Sequence, residues 1–137
     1  MPVRKIQDTI LICPPVVSQW AAVGAMHAGR AYCEDKLRQT REIRRLVLDK
    51  LGEVGDLVTI PRADGAFYLL ARIHRDMDPM ELTQRLIEEY KVAVIPGTTF
   101  GIQNQCLLRI AYGALQKGTA AEGIGRLVHG LRQILTT

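Results

Sequence analysis

The sequence has few aromatic residues, few cysteines and no long apolar segment. One Trp, four Tyr and two Phe provide too few rings for a surface on which nucleic-acid bases could stack. The three cysteines are odd in number and widely spaced, which indicates free thiols in a reducing compartment. Together with the three histidines, they match no zinc-ligand spacing. The chain lacks the run of about 18 apolar residues that a membrane span needs, and its N-terminus lacks the charge order of a signal peptide. We therefore expect a cytoplasmic protein with no metal site and no membrane partner.

The net charge is mildly positive, +4 over 137 residues. Its densest cluster lies on one predicted helix and comprises Arg38, Arg41, Arg44 and Arg45. Basic helices can bind nucleic acid, but recognition usually needs a wider basic patch and a binding fold as well. A solvated helix face is the simpler interpretation, because cations near the C-terminal end of a helix interact favourably with its dipole. We therefore expect no nucleic-acid partner.

Hydrophobic periodicity predicts an α/β fold. Two helices, at 15–31 and 34–53, precede a β-β-α-β-β-α order of elements. We expect a small mixed or antiparallel sheet of about four strands, with helices packed on one face. The chain is interpreted as a single domain, in which residues 1–56 form a helical connecting part and residues 57–137 form the β-β-α-β-β-α part.

Local signals indicate where several elements begin. Residues 1–9 are polar and predict an irregular start, whereas Asp64-Gly65 predicts a tight hairpin turn. Asp78 is expected to cap a helix that has Pro79 at its first position. The segment from Thr119 to Glu122 predicts a capping box at the start of the final helix.

The most informative segment is residues 92–113, in which two predicted strands, 92–95 and 106–111, flank a polar loop. The second strand carries one arginine, Arg109, among apolar neighbours. Burying an unpaired charge is costly. Arg109 is therefore either paired internally, in water at a strand end, or facing a ligand anion. A planar guanidinium can hold a carboxylate through two parallel hydrogen bonds.

Four segments resemble the C-terminal part of the class I/II, fold type I, PLP-dependent aminotransferases, the family that includes aspartate aminotransferase. Val92 to Gly101 matches the V-x-x-x-P-G-x-x-F-G segment of that family, and Leu108 to Tyr112 matches its L-R-I strand. Asp64 to Tyr68 resembles its G-[GA]-F-Y strand start, and Ile6 to Ala25 resembles the segment that follows its large domain. The resemblance implies that Arg109 binds the α-carboxylate of an amino acid or 2-oxo acid.

The chain departs from this family in its lysines. The family chemistry needs a lysine that forms a Schiff base with PLP, found in an S-x-x-K or S-x-S-K context in the large domain. None of the five lysines follows such a serine pattern: Lys5, Lys36, Lys50, Lys91 and Lys117. We therefore expect a small domain without its catalytic large domain, with no catalytic residue and no cofactor of its own, although PLP would serve the complete enzyme.

Several further residues are candidates for the site. Pro96, Gly97 and Phe100 could form a pocket wall, although a strand-ending turn with a packed aromatic explains them equally well. Tyr68 and Tyr32 could supply hydroxyl groups, but half-buried core tyrosines are commoner. Cys106 is interpreted as a small apolar core residue rather than a nucleophile.

Two kinds of function remain open from the sequence. The first is the C-terminal domain of an aminotransferase, which would act as a homodimer or in association with a large domain. The second is a stand-alone amino-acid-binding regulatory module or interaction module, which would use Arg109 for the same carboxylate. The two differ in whether the chain depends on a lysine supplied from elsewhere.

Overall fold

The computed structural model describes residues 2–10, 12–113 and 115–136. These residues fall into two compact units, 1–37 and 38–137. Helix α1, Pro2–Ile10, lies in the first unit, and helix α2, Val16–Gly52, begins there and continues into the second. The remaining helices and all the strands described here belong to the second unit.

The irregular start predicted for residues 1–9 is wrong, because α1 covers most of this segment. Val3, Ile6 and Ile10 recur at helical spacing and lie exposed along one face of α1. The hydroxyl of Thr9 donates to the backbone oxygen of Lys5 at 2.7 Å, as helical threonines commonly do. The spacing of the apolar residues was therefore a better guide than the polarity of the segment.

The two helices predicted at 15–31 and 34–53 form one helix, α2, that is interrupted at Gly29. Gly29 has φ 68° and ψ −166°, a conformation that glycine adopts without a steric penalty from Cβ. In the part of α2 that belongs to the second unit, Ile43, Val47 and Leu51 are buried. The buried residues of α2 thus lie in the C-terminal part of this helix.

The four strands form one antiparallel sheet in the order β1-β2-β4-β3, which confirms the predicted fold class. The strands are β1 (Val58–Thr59), β2 (Tyr68–Ile73), β3 (Ile95–Pro96) and β4 (Leu107–Ala111). Val58 pairs with Ile73, so a wide loop over residues 60–67 connects β1 to β2. The tight hairpin predicted at Asp64-Gly65 is therefore wrong.

Two helices follow the strands of the sheet. Helix α3, Pro79–Tyr90, begins as predicted, because the Asp78 carboxylate accepts a hydrogen bond of 2.9 Å from the backbone nitrogen of Met80. Helix α4, Lys117–Thr136, begins earlier than predicted. Thr119 lies inside α4 and caps nothing, so the predicted capping box is wrong, and Glu122 pairs instead with Arg126 one turn later.

The core lies between one face of the sheet and the helices. Alternate residues of β2 and β4 are buried on this face, and α3 and α4 bring apolar side chains to the same cluster. The central members are Leu69, Ala71, Ile73, Leu108, Ile110, Leu82, Leu86, Leu127 and Leu131. On the opposite face of the sheet, Tyr68, Arg72 and Ala111 are exposed. The second unit therefore presents one open sheet face.

Candidate functional site

Arg109 lies on β4, a central strand of the sheet. It is directly opposite Leu70 of β2 on one side and Ile95 of β3 on the other. Its neighbours in sequence, Leu108 and Ile110, are buried on the helix side. Since successive side chains of a strand point to opposite faces, Arg109 projects from the open face, where it is half-buried.

Two aromatic rings contact the guanidinium of Arg109. Its Cζ lies 4.2 Å from the centre of the Tyr68 ring and 5.5 Å from the centre of the Phe100 ring. Both distances are within the range in which an aromatic face attracts a cation. Tyr68 begins β2, whereas Phe100 ends a 3₁₀ turn, Gly97–Phe100, that directly follows β3. Elements far apart in sequence thus bring the two rings to one cation.

The guanidinium has an unused donor. The Nε atom of Arg109 is buried and has no hydrogen-bond partner within the described part of the chain. Buried donors without a partner are rare in folded proteins, so each one calls for an explanation. Over residues 2–10, 12–113 and 115–136, the ion pairs found do not include Arg109 either. The charge of Arg109 is therefore not balanced by an ion pair within these residues.

Pro96 and Gly97 were predicted to form a pocket wall together with Phe100. Pro96 is buried opposite Leu108, on the helix side of the sheet. Gly97 lies so close to Leu107 that a Cβ at Gly97 would come within 2.8 Å of the Leu107 Cβ. Glycine at this position therefore lets the 3₁₀ turn approach β4 and present Phe100 to the guanidinium.

Tyr32 belongs to the first unit, where it is exposed and its ring lies 6.0 Å from Lys36 Nζ. Cys106 is buried, and burial together with the charges of Asp78 and Asp76 raises the pKa of its thiol to about 11. A thiol with such a pKa stays protonated near neutrality, which agrees with a packing role. Within the described residues, no cluster of His, Cys, Asp or Glu could hold a metal ion, and no helix is long and apolar enough to cross a membrane.

Two of the five lysines have hydrogen-bonding partners close by in the sequence. Lys50 Nζ lies 2.7 Å from Glu53 Oε1, and Lys91 Nζ donates to the backbone oxygen of Glu88 at 2.6 Å. Each of these amines is thus held by a residue three positions away in the sequence.

Tyr68 was a candidate for its hydroxyl and Phe100 for a pocket wall. The contact of both rings with Arg109 was not predicted from the sequence. The residue pairing across strands carried the missing information. Tyr68 pairs with Ala111, two residues from Arg109, so the two side chains share a face at diagonal positions. The G-[GA]-F-Y and L-R-I segments could have revealed this only with the strand register known.

Arg109 thus lies between two aromatic rings on the open face of a small antiparallel sheet. The family model described as aminotransferase class I and II matches residues 2–127. The chain therefore belongs to the class I and II aminotransferases, as the resemblance indicated.

Known relatives agree with this assignment. The chain is 31% identical over 134 residues to the aromatic aminotransferase ISS1 of Arabidopsis thaliana, covering 96% of this chain and 33% of that protein. It is 33% identical over 98 residues to an aspartate aminotransferase of Thermotoga maritima, covering 72% of this chain and 24% of that protein. The chain thus spans a third or less of the length of these curated relatives.

Solved structures show the same fold. An aromatic aminotransferase from Pyrococcus horikoshii superposes with a TM-score of 0.78 at 28% identity, covering 97% of this chain and 36% of that one. An aminotransferase from Mycobacterium tuberculosis superposes with a TM-score of 0.79 at 29% identity, covering 93% of this chain and 33% of that one.

Proposed function

We propose that this chain is the C-terminal part of a PLP-dependent aminotransferase, in which Arg109 binds the α-carboxylate of the amino acid or 2-oxo acid. The positive charge of Arg109, which has no ion-pair partner among the described residues, carries the proposal. The two Nη groups form the end of the guanidinium that can match the two oxygens of a carboxylate. The complete enzyme would supply the lysine and bind PLP, whose role is to withdraw electrons from the substrate.

A stand-alone amino-acid-binding module is the second candidate function. It is favoured by one observation, that Arg109, Tyr68 and Phe100 all lie within the second unit of this chain. The site contacts therefore do not depend on another polypeptide. The two candidates share the carboxylate site and differ in whether catalysis follows.

Binding of a simple carboxylate by the chain itself tests the shared site. We expect propionate to shift the NMR signal of the Arg109 Nε–Hε group and to saturate at millimolar concentrations. Propionamide is the matched neutral ligand, since it has the same shape but lacks the charge that a charge-assisted hydrogen bond requires. Replacing Arg109 with lysine should remove the signal and the saturable response together. Equal responses to propionate and propionamide would contradict the carboxylate role.

We expect the chain alone not to catalyse transamination. Its lysines lie outside the serine pattern of the Schiff-base lysine, and Lys50 and Lys91 have local partners. After incubation with PLP and reduction with borohydride, mass spectrometry should find no stoichiometric adduct on any one lysine. A single modified lysine accompanied by turnover of an amino acid would show that the chain is a complete catalyst.

We expect the chain to self-associate through the first unit. Val16, Trp20 and Val23 form a stripe on α2 and are 66%, 71% and 44% exposed. Contiguous exposed apolar surface favours association, and a symmetric dimer is its commonest form. Sedimentation should therefore show a dimer whose population increases with concentration.

A pair of substitutions checks which surface mediates this association. Trp20→Glu should shift the equilibrium toward monomer, whereas Ala22→Glu adds the same charge to the same helix away from the stripe and should not. A monomer at all concentrations from micromolar to millimolar would refute self-association.

A further inference from the structure

The aromatic rings beside Arg109 suggest a role that goes beyond packing. Tyr68 is 39% exposed and Phe100 is 51% exposed, so neither ring belongs to the core cluster of the second unit. Both rings nevertheless contact the same side chain, at 4.2 Å and 5.5 Å from its Cζ. Large aromatic side chains left half-exposed around one cation stabilise the fold less than buried ones do. Their position is better explained by what they do to the cation.

Arginine needs such support at this position. Its side chain has several rotatable bonds, and no hydrogen bond or ion pair found among the described residues fixes the guanidinium of Arg109. An unrestrained side chain would lose conformational entropy each time it bound a ligand. Contact with a ring face restricts the guanidinium without using any of its N–H donors, because the attraction acts on the face and not on the edge. The edge that a carboxylate needs therefore stays free.

We propose that Tyr68 and Phe100 are positioning residues that hold the guanidinium of Arg109 ready for a carboxylate. This inference rests on the proposed function of Arg109 and adds how the free chain prepares the site. Tyr68 acts through its ring and not through its hydroxyl, for which the structure shows no partner within the described ranges. Phe100 reaches the guanidinium because Gly97 allows the 3₁₀ turn to approach Leu107.

Two substitutions of Tyr68 test whether its ring or its hydroxyl supports Arg109. Tyr68→Phe keeps the ring and removes only the hydroxyl, so it should behave like the unmodified chain. Tyr68→Leu removes the ring and should weaken propionate binding by about 2- to 5-fold, the range expected for the loss of one partly exposed cation–π contact. Phe100→Leu should have a similar effect. Tyr32→Leu is the matched control, because it removes an exposed tyrosine ring from the first unit.

A second readout does not depend on ligand binding. A proton above an aromatic ring is displaced upfield, so the Hε signal of Arg109 should lie upfield of the signals of exposed arginines in the free chain. The signal should return toward them in Tyr68→Leu and keep its position in Tyr68→Phe and Tyr32→Leu. Thermal melting of each variant shows that the comparison is made on folded protein.

The results distinguish the positioning role of the two rings from the carboxylate role of Arg109. Equal propionate affinity in the unmodified chain and in Tyr68→Leu would overturn the positioning role while leaving the carboxylate role of Arg109 intact. Weaker binding in Tyr68→Phe would also overturn it, because the hydroxyl would then be the active group. If the unmodified chain does not bind propionate, the carboxylate role fails. An Hε signal that does not move in Tyr68→Leu independently rules out the ring contact.

Discussion

Replacing Arg109 with lysine in a full-length enzyme that includes the large domain is expected to lower kcat/KM by about 10- to 150-fold. Lysine keeps the charge but loses the rigid pair of donors that fits a carboxylate. Loss of one charge-assisted bidentate contact should cost roughly 1.5–3 kcal/mol. The measurement is kcat/KM for an amino-acid substrate, with the thermal midpoint determined on the same preparations.

The chain offers a matched control for this substitution. Arg72 of β2 lies on the same open face of the sheet, is exposed, and pairs with Leu107 near Arg109. Arg72→Lys makes the same chemical change on the neighbouring strand and should leave kcat/KM within about 3-fold, or about 0.6 kcal/mol. If Arg109→Lys lowers the thermal midpoint in proportion to activity, Arg109 is a structural residue and the assignment of the site is incorrect.

Substitution of Leu108, the residue before Arg109, should lower stability and leave carboxylate binding almost unchanged. Leu108 is 0% exposed and packs on the helix side of β4. Leu108→Ala removes buried methyl groups and leaves a cavity, so the free energy of unfolding should fall by about 2–5 kcal/mol. Chemical denaturation monitored by circular dichroism provides this value, and the residual carboxylate binding of the folded fraction should change little.

Leu37→Ala provides the comparison for this loss of stability. Leu37 is 46% exposed in the first unit, so the same truncation there removes few buried contacts. It should change the free energy of unfolding by no more than about 0.5 kcal/mol. Similar losses from Leu37→Ala and Leu108→Ala would mean that β4 does not contribute a well-packed core.

The sequence predicted those parts of the fold that depend on local patterns. The Asp78 cap fixes the start of α3, as predicted. The strand around Arg109 was also predicted, because its apolar run is flanked by turn residues. These features depend on residues close in sequence, where spacing alone determines which side chains share a face.

The features that failed to follow from the sequence depend on contacts between distant segments. The strand predicted at 92–95 is wrong in its bounds: β3 covers Ile95–Pro96, because only these two residues pair with β4. The capping box at Thr119 was overridden by a helix that begins earlier. Tyr68 and Phe100 were named as candidates, but their contact with Arg109 was not predicted, because nothing in the sequence alone indicates that both rings approach it.

The position of Arg109 on a central strand also has a consequence for how the chain folds. A slip of β4 by one residue against β2 would turn every side chain of the strand to the other face. The guanidinium would then enter the apolar layer beneath α3 and α4, while Leu108 and Ile110 would face water. Both changes are unfavourable, so a single cation between two buried apolar residues selects against misregistered pairing. The residue proposed to recognise the substrate thereby also helps the sheet to find one alignment.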